Sequence, residues 1–174
     1  PRTVGEDPKC DIQILYEPAN DRCAYEGATD SRDYLYVSSL ENLQSKITVY
    51  RFDDATNAFI LEGAHEAENC QTFSVGGAEP NSTNALFASS SGFLNPSTYL
   101  YSEVGGLKGI KNAQSLKSSS SWFDSEGMSV TLNEATSKDG TKVPYFLVRA
   151  KGNDENSGPK PTVLNGYGGF RINS

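Results

Sequence analysis

Thr162-Val163-Leu164-Asn165-Gly166-Tyr167-Gly168-Gly169-Phe170 is the stretch on which the reading of this chain turns. Its first three residues are apolar or β-branched, the pattern of a short buried strand. The rest is glycine-rich and carries two aromatics. Gly168 and Gly169 let the backbone turn sharply and come close to a ligand, because neither has a Cβ. Tyr167 adds a phenolic donor. Donors held this close serve a developing negative oxygen, such as that of a tetrahedral intermediate. The same residues also fit a plain glycine-rich turn between packed aromatics, and the segment alone leaves both readings open.

Upstream, Lys151 to Lys160 is polar with Gly and Pro and reads as a loop. Before it, Ser129 to Thr136 and Val143 to Ala150 are strand candidates separated by Ser137-Lys138-Asp139-Gly140-Thr141. Asp-Gly between two strand patterns predicts a hairpin, since Gly accepts positive φ without a Cβ clash. Gly105 to Ser121 shifts to Gly, Lys and Ser and reads as a linker or a long surface loop. Residues 11 to 101 read as short strands: Asp11–Glu17, Tyr34–Val37, Lys46–Phe52, Phe59–Leu61, Thr72–Val75, Ala85–Ala88 and Thr98–Val104. Turn chemistry such as Pro18-Ala19-Asn20-Asp21 and Asn95-Pro96 separates them. Ser38 to Lys46 is expected to form at most one helical turn. Strands at this spacing predict a sandwich, a barrel or propeller blades.

Composition narrows the function classes. The chain has 174 residues, enough for one domain with a core or two small ones, and a net charge of −7. Nucleic-acid binding needs basic stripes that this chain lacks, and charge alone would not hold it on an anionic membrane. No apolar run approaches the roughly 18–20 residues that span a bilayer. Nine Tyr and eight Phe argue for a folded chain. Cys10, Cys23 and Cys70 form neither a disulfide framework nor a zinc pattern, and free thiols are expected. The one histidine, His65, is expected on the solvated surface, and no second ligand pattern accompanies it to make a metal site. Asp53-Asp54 and Asp154-Glu155 read as solvated turns, lacking the spaced ligands of a calcium loop. The chain begins with Pro1, and its true N-terminus is expected upstream.

Two motifs together carry a resemblance. Ser137 to Phe146, read S-K-D-G-T-K-V-P-Y-F, is followed by L-N-G-Y-G-G-F from Leu164 to Phe170. In that order and spacing they resemble the prolyl oligopeptidase family of serine peptidases, over about residues 123 to 174. Asn165 stands where the family usually has a first Tyr. More loosely, Arg2–Asp7 with Asp11–Glu17, and Ser89–Tyr99, resemble propeller segments of that family.

The resemblance implies a mostly β chain: partial β-propeller blades with a crossing segment over 1–124, then the first strands of an α/β-hydrolase domain over 125–174. It implies a serine-type endopeptidase that cleaves short peptides after proline, cytoplasmic and monomeric, with no cofactor, no metal, no nucleic acid and no membrane. Tyr167 matches the oxyanion-hole donor, Gly168 and Gly169 the glycines of that loop, and Phe170 an aromatic beside the substrate proline ring. The family's Ser, Asp and His triad would lie beyond Ser174, so this stretch is expected to be inactive alone. Two alternatives stay open: a non-catalytic β-rich binding module, and a related oligopeptidase that prefers basic residues.

Overall fold

A computed structural model describes residues 12–68, 70–153 and 158–166. Among them are ten strands and one helix. Strands β1 (Cys23–Ser31), β2 (Tyr34–Glu41), β3 (Gln44–Asp53) and β4 (Ala58–Glu66) form an antiparallel sheet in chain order. Strands β5 (Thr72–Gly77), β6 (Leu86–Ser91), β7 (Thr98–Ser102) and β8 (Gln114–Ser118) form a second antiparallel sheet, also in chain order. Helix α1 (Gly106–Lys111) joins β7 to β8, and β9 (Ser129–Thr136) pairs with β10 (Lys142–Arg149) in a separate hairpin.

One core serves both four-stranded sheets. Alternation along β2 and β3 turns Tyr36, Ile47 and Val49 inward, and β5 and β6 contribute Val75, Leu86 and Ala88. Ile110 of α1 closes the cluster, with Leu107 beside it. The helix sits tightly because Gly109 has no side chain: a Cβ there would lie 2.1 Å from the Val104 carbonyl oxygen. Its first turn is anchored by side chains of the first sheet. The Gly106 N–H donates to the Tyr36 hydroxyl at 2.9 Å, and the Leu107 N–H to Glu62 Oε1 at 3.2 Å. The Tyr36 hydroxyl also lies 3.2 Å from Ser31 Oγ, so this buried phenol is fully used.

Turn chemistry sets the registers. Gly140 takes φ +89° in the β9–β10 turn, where Ser137 Oγ and the Thr141 N–H both donate to Asp139. Those bonds hold the Asp139 carboxyl down to about 2. Asp53 likewise accepts from Thr56 Oγ1 at 2.7 Å in the β3–β4 turn. The β2–β3 loop has two residues, Asn42 at φ 51° and Leu43 at φ 63°. Positive φ at both positions is a primed hairpin turn, which favours Asn-Gly. A leucine in the glycine position costs about 1–2 kcal/mol.

Several expectations are corrected. Asp11–Glu17 is not a strand where described: residues 12–18 lack regular structure. The Gln13 side chain takes the place of a ladder partner, donating to the Phe59 carbonyl at 2.7 Å and accepting from the Phe59 N–H at 2.9 Å. The helical turn expected over Ser38–Lys46 is the end of β2, the primed turn and the start of β3. Gly105–Ser121 is no linker through residue 118, since it holds α1 and β8. β1 was not foreseen. Cys23 and Cys70 are free thiols, as expected, whereas Cys10 lies outside the described residues. Among the described residues no helix is long and apolar enough to cross a membrane.

Candidate functional site

The residues proposed from the sequence, Tyr167, Gly168, Gly169 and Phe170, lie outside the described residues. The chain leading to them is described, and it is not the buried strand expected over Thr162–Leu164. Residues 158–166 have no regular structure, and Val163 and Leu164 are each 94% exposed. A strand exists only through a ladder partner, and none of the described strands pairs with this segment.

His65 differs from its expectation too. It is a β4 residue opposite Ile47, half-buried, with its ring 4.5 Å from that of Phe73 at the seam of the two sheets. Burial pushes its imidazole below the usual value, and Lys111 adds to this while Glu68 opposes it. The imidazole makes no hydrogen bond with a described residue, so it has no partnered nucleophile there. Because the folded state disfavours the charged ring, protons bind more readily to the unfolded chain. The His65 contribution to stability is therefore complete above about pH 6.5 and declines as pH falls through the lower, folded value. Thermal melts across that window should show a falling Tm, with a smaller fall in His65→Gln. Equal slopes for the two proteins would remove His65 as the cause.

Asp33, like Asp139, is a carboxyl held well below the usual range. Arg32 donates to it at 3.0 and 2.8 Å, and Asn84 Nδ2 at 2.5 Å, which holds the carboxyl at about 2. Asn84 Oδ1 accepts in turn from the Asp33 N–H at 2.9 Å. This network ties the β1–β2 turn to the segment before β6. It is a structural clamp: Ser31 Oγ also donates to Asn84 Oδ1 at 3.5 Å, and among the described residues no histidine is bonded to that hydroxyl.

The arrangement that joins the C-terminal hairpin to the sheets is built from residues far apart in sequence. The Asn20 side chain accepts from the Arg22 N–H at 2.8 Å, fixing the turn that leads into β1. From there Arg22 Nη2 reaches Glu134 Oε2 of β9 at 2.6 Å, and Lys142 of β10 lies 3.6 Å from the same carboxylate. Arg22 and Glu134 are 57% and 34% exposed, so solvent screens the pair to at most about 1 kcal/mol. On the second sheet's side, Phe93 meets Phe146 of β10 at 5.2 Å between ring centres. Between the first sheet and the hairpin lies a cavity of about 430 Å³. Leu40, Leu43, Leu132 and Pro144 give it apolar walls. No group of three or more metal-ligating side chains occurs among the described residues.

The comparisons fit this geometry. No family model matches the chain. An uncharacterized peptidase from Sinorhizobium fredii is 33% identical over 170 residues, which is 97% of this chain and 22% of that protein. A post-proline cleaving enzyme from Rickettsia typhi shares the fold with a TM-score of 0.62 at 19% identity, over 82% of this chain and 19% of that one. Prolyl oligopeptidase B from Galerina marginata shares it with a TM-score of 0.58 at 20% identity, over 79% of this chain and 19% of that one. The chain is thus similar to peptidases over nearly its whole length and shares the fold of prolyl oligopeptidases, in line with the resemblance carried by its motifs. It spans about a fifth of the length of the relatives it matches.

Proposed function

We propose that these residues are part of a serine-type endopeptidase that cleaves short peptides after proline. The observation that carries this reading is the 33% identity to a peptidase across 97% of the chain. The hairpin around Asp139-Gly140, which the sequence motif predicted, supports it. In this reading residues 1–124 belong to a β-propeller and its crossing segment, and 125–174 open the α/β-hydrolase domain. A serine hydroxyl, activated by a histidine, attacks the carbonyl carbon, and the displaced amine leaves with the proton the histidine received. Water then releases the acyl group. Tyr167 donates to the oxyanion formed in each attack. Gly168 and Gly169 let the loop come close, and Phe170 packs on the substrate's proline ring. The serine, histidine and acid come from outside these 174 residues, which contain no G-x-S-x-G.

A fluorophosphonate probe tests this directly. The 174-residue chain should give no labelled band, because covalent catalysis needs the nucleophile and base it lacks. The full-length protein carrying this segment should be labelled at one serine and lose turnover of a proline-containing peptide. Stoichiometric labelling of the short chain, or an unreactive full-length protein, would sink the proposal.

A further inference from the structure

We infer that Asn165-Gly166 is a site of spontaneous backbone modification, where Asn165 closes to a cyclic imide on the Gly166 nitrogen and reopens as aspartate or isoaspartate. The step needs no reagent but water. The Gly166 backbone nitrogen gives up its proton and attacks Cγ of Asn165. The new C–N bond closes a five-membered succinimide, the bond from Cγ to Nδ2 breaks, and ammonia leaves with the proton returned. Water then opens the ring. Breaking the bond from the Gly166 nitrogen to Cγ gives aspartate. Breaking the bond from that nitrogen to the Asn165 main-chain carbonyl carbon gives isoaspartate, in which the chain runs through the side-chain carbon.

Three observations lead there. The first is the pair itself, the one Asn-Gly in the sequence. Glycine has no Cβ to shield the attacking nitrogen, and its backbone folds readily into the geometry that ring closure needs. The second is the surroundings. Residues 158–166 have no regular structure, and Asn165 and Gly166 are both exposed. Neither makes a hydrogen bond with a described residue. A Cβ added at Gly166 would meet nothing within 4 Å, so no neighbour holds the backbone there.

The third is the contrast with two comparable pairs, Asp139-Gly140 and Asn81-Ser82. There the attacking nitrogen is tied into a turn. The Gly140 N–H donates to the Ser137 carbonyl at 3.0 Å, and the Ser82 N–H to the Glu79 carbonyl at 3.0 Å. Attack at either site must first break that bond and open the turn. The fold therefore protects two such pairs and leaves Asn165 open. Its product adds a negative charge, and isoaspartate an extra backbone carbon, close before Tyr167.

The modification does not depend on the peptidase reading, and it is measured without turnover. The 174-residue chain is incubated at neutral pH and physiological temperature, then digested under mildly acidic conditions. The peptide holding Asn165 is followed by mass spectrometry, with an isoaspartyl methyltransferase to label the isomer. Within days a gain of about 1 Da should accumulate on Asn165, with isoaspartate outweighing aspartate. Asn81 and Asp139 should stay unchanged over that time. Concentrated urea should speed reaction at those two turns and leave the Asn165 rate within about twofold of its value in water. Gly166→Ala should slow the reaction at least about tenfold without moving the Tm, because its Cβ crowds the nitrogen yet meets open space in the fold. An intact Asn165, an equal rate in Gly166→Ala, or turns that react as fast as Asn165 in water would overturn the inference. So would a severalfold acceleration of Asn165 in urea, which would show the segment held by the fold.

Discussion

In the full-length protein carrying this segment, Tyr167→Phe should lower kcat by about 10²- to 10³-fold, or roughly 3–4 kcal/mol of transition-state stabilisation. The substitution removes a hydroxyl and keeps the ring, so packing changes little. What is lost is one donor aimed at an oxygen whose charge develops only as the carbonyl is attacked. KM should therefore stay near its original value, since the ground-state carbonyl uses such a donor weakly. Steady-state kinetics on a short proline-containing peptide separate the two parameters. A fall in kcat of less than about threefold would return Tyr167 to the role of a packed turn aromatic.

Leu86→Ala should destabilise the fold by about 2–5 kcal/mol. Leu86 is fully buried and touches the group through which the two sheets and α1 share one core. Truncation removes its transfer free energy and leaves a void that cannot collapse easily, because Gly109 already holds the helix against the Val104 carbonyl. The loss should fall on both sheets at once. Urea unfolding should remain a single transition with an earlier midpoint and an unchanged m-value. Leu116→Ala, at a β8 position that is 57% exposed, should cost no more than about 0.5 kcal/mol. A two-step curve for Leu86→Ala would mean that the sheets hold together by something other than this core.

The elements that could be read in the sequence are those with something to bury. β2 and β3 alternate because Tyr36, Ile47 and Val49 point into the core, and β9–β10 is announced by Asp139-Gly140. β1 and β8 could not be seen this way. Nearly all of β1, Cys-Ala-Tyr-Glu-Gly-Ala-Thr-Asp-Ser, and all of Gln-Ser-Leu-Lys-Ser in β8 stay at least partly exposed on edge strands. With no buried face there is no period to detect. α1 is a single short helix of six residues hidden in a glycine-rich stretch, and it forms because Tyr36 and Glu62 complete its first turn. Thr162–Leu164 shows the opposite failure: strand-like residues without a partner strand stay outside any sheet and exposed. The site divides likewise. Tyr167 and Phe170 came from a motif resemblance, which carries roles that spacing cannot. The Arg22–Glu134 pair joins residues 112 positions apart, and no local pattern announces a contact set by tertiary placement.

The β9–β10 hairpin rests on two unlike bearings, a charged one at Arg22–Glu134 and an oily one at Phe93–Phe146. They answer to opposite conditions. Added salt loosens the first, whose partners face solvent, and leaves the second intact or firmer. Cooling weakens the second and spares the first. In brine the hairpin should therefore hold mainly by its phenylalanines, and in the cold mainly by its arginine. The chain that leaves β10 at Arg149 therefore departs from an anchorage that should shift with the medium from one side-chain contact to the other.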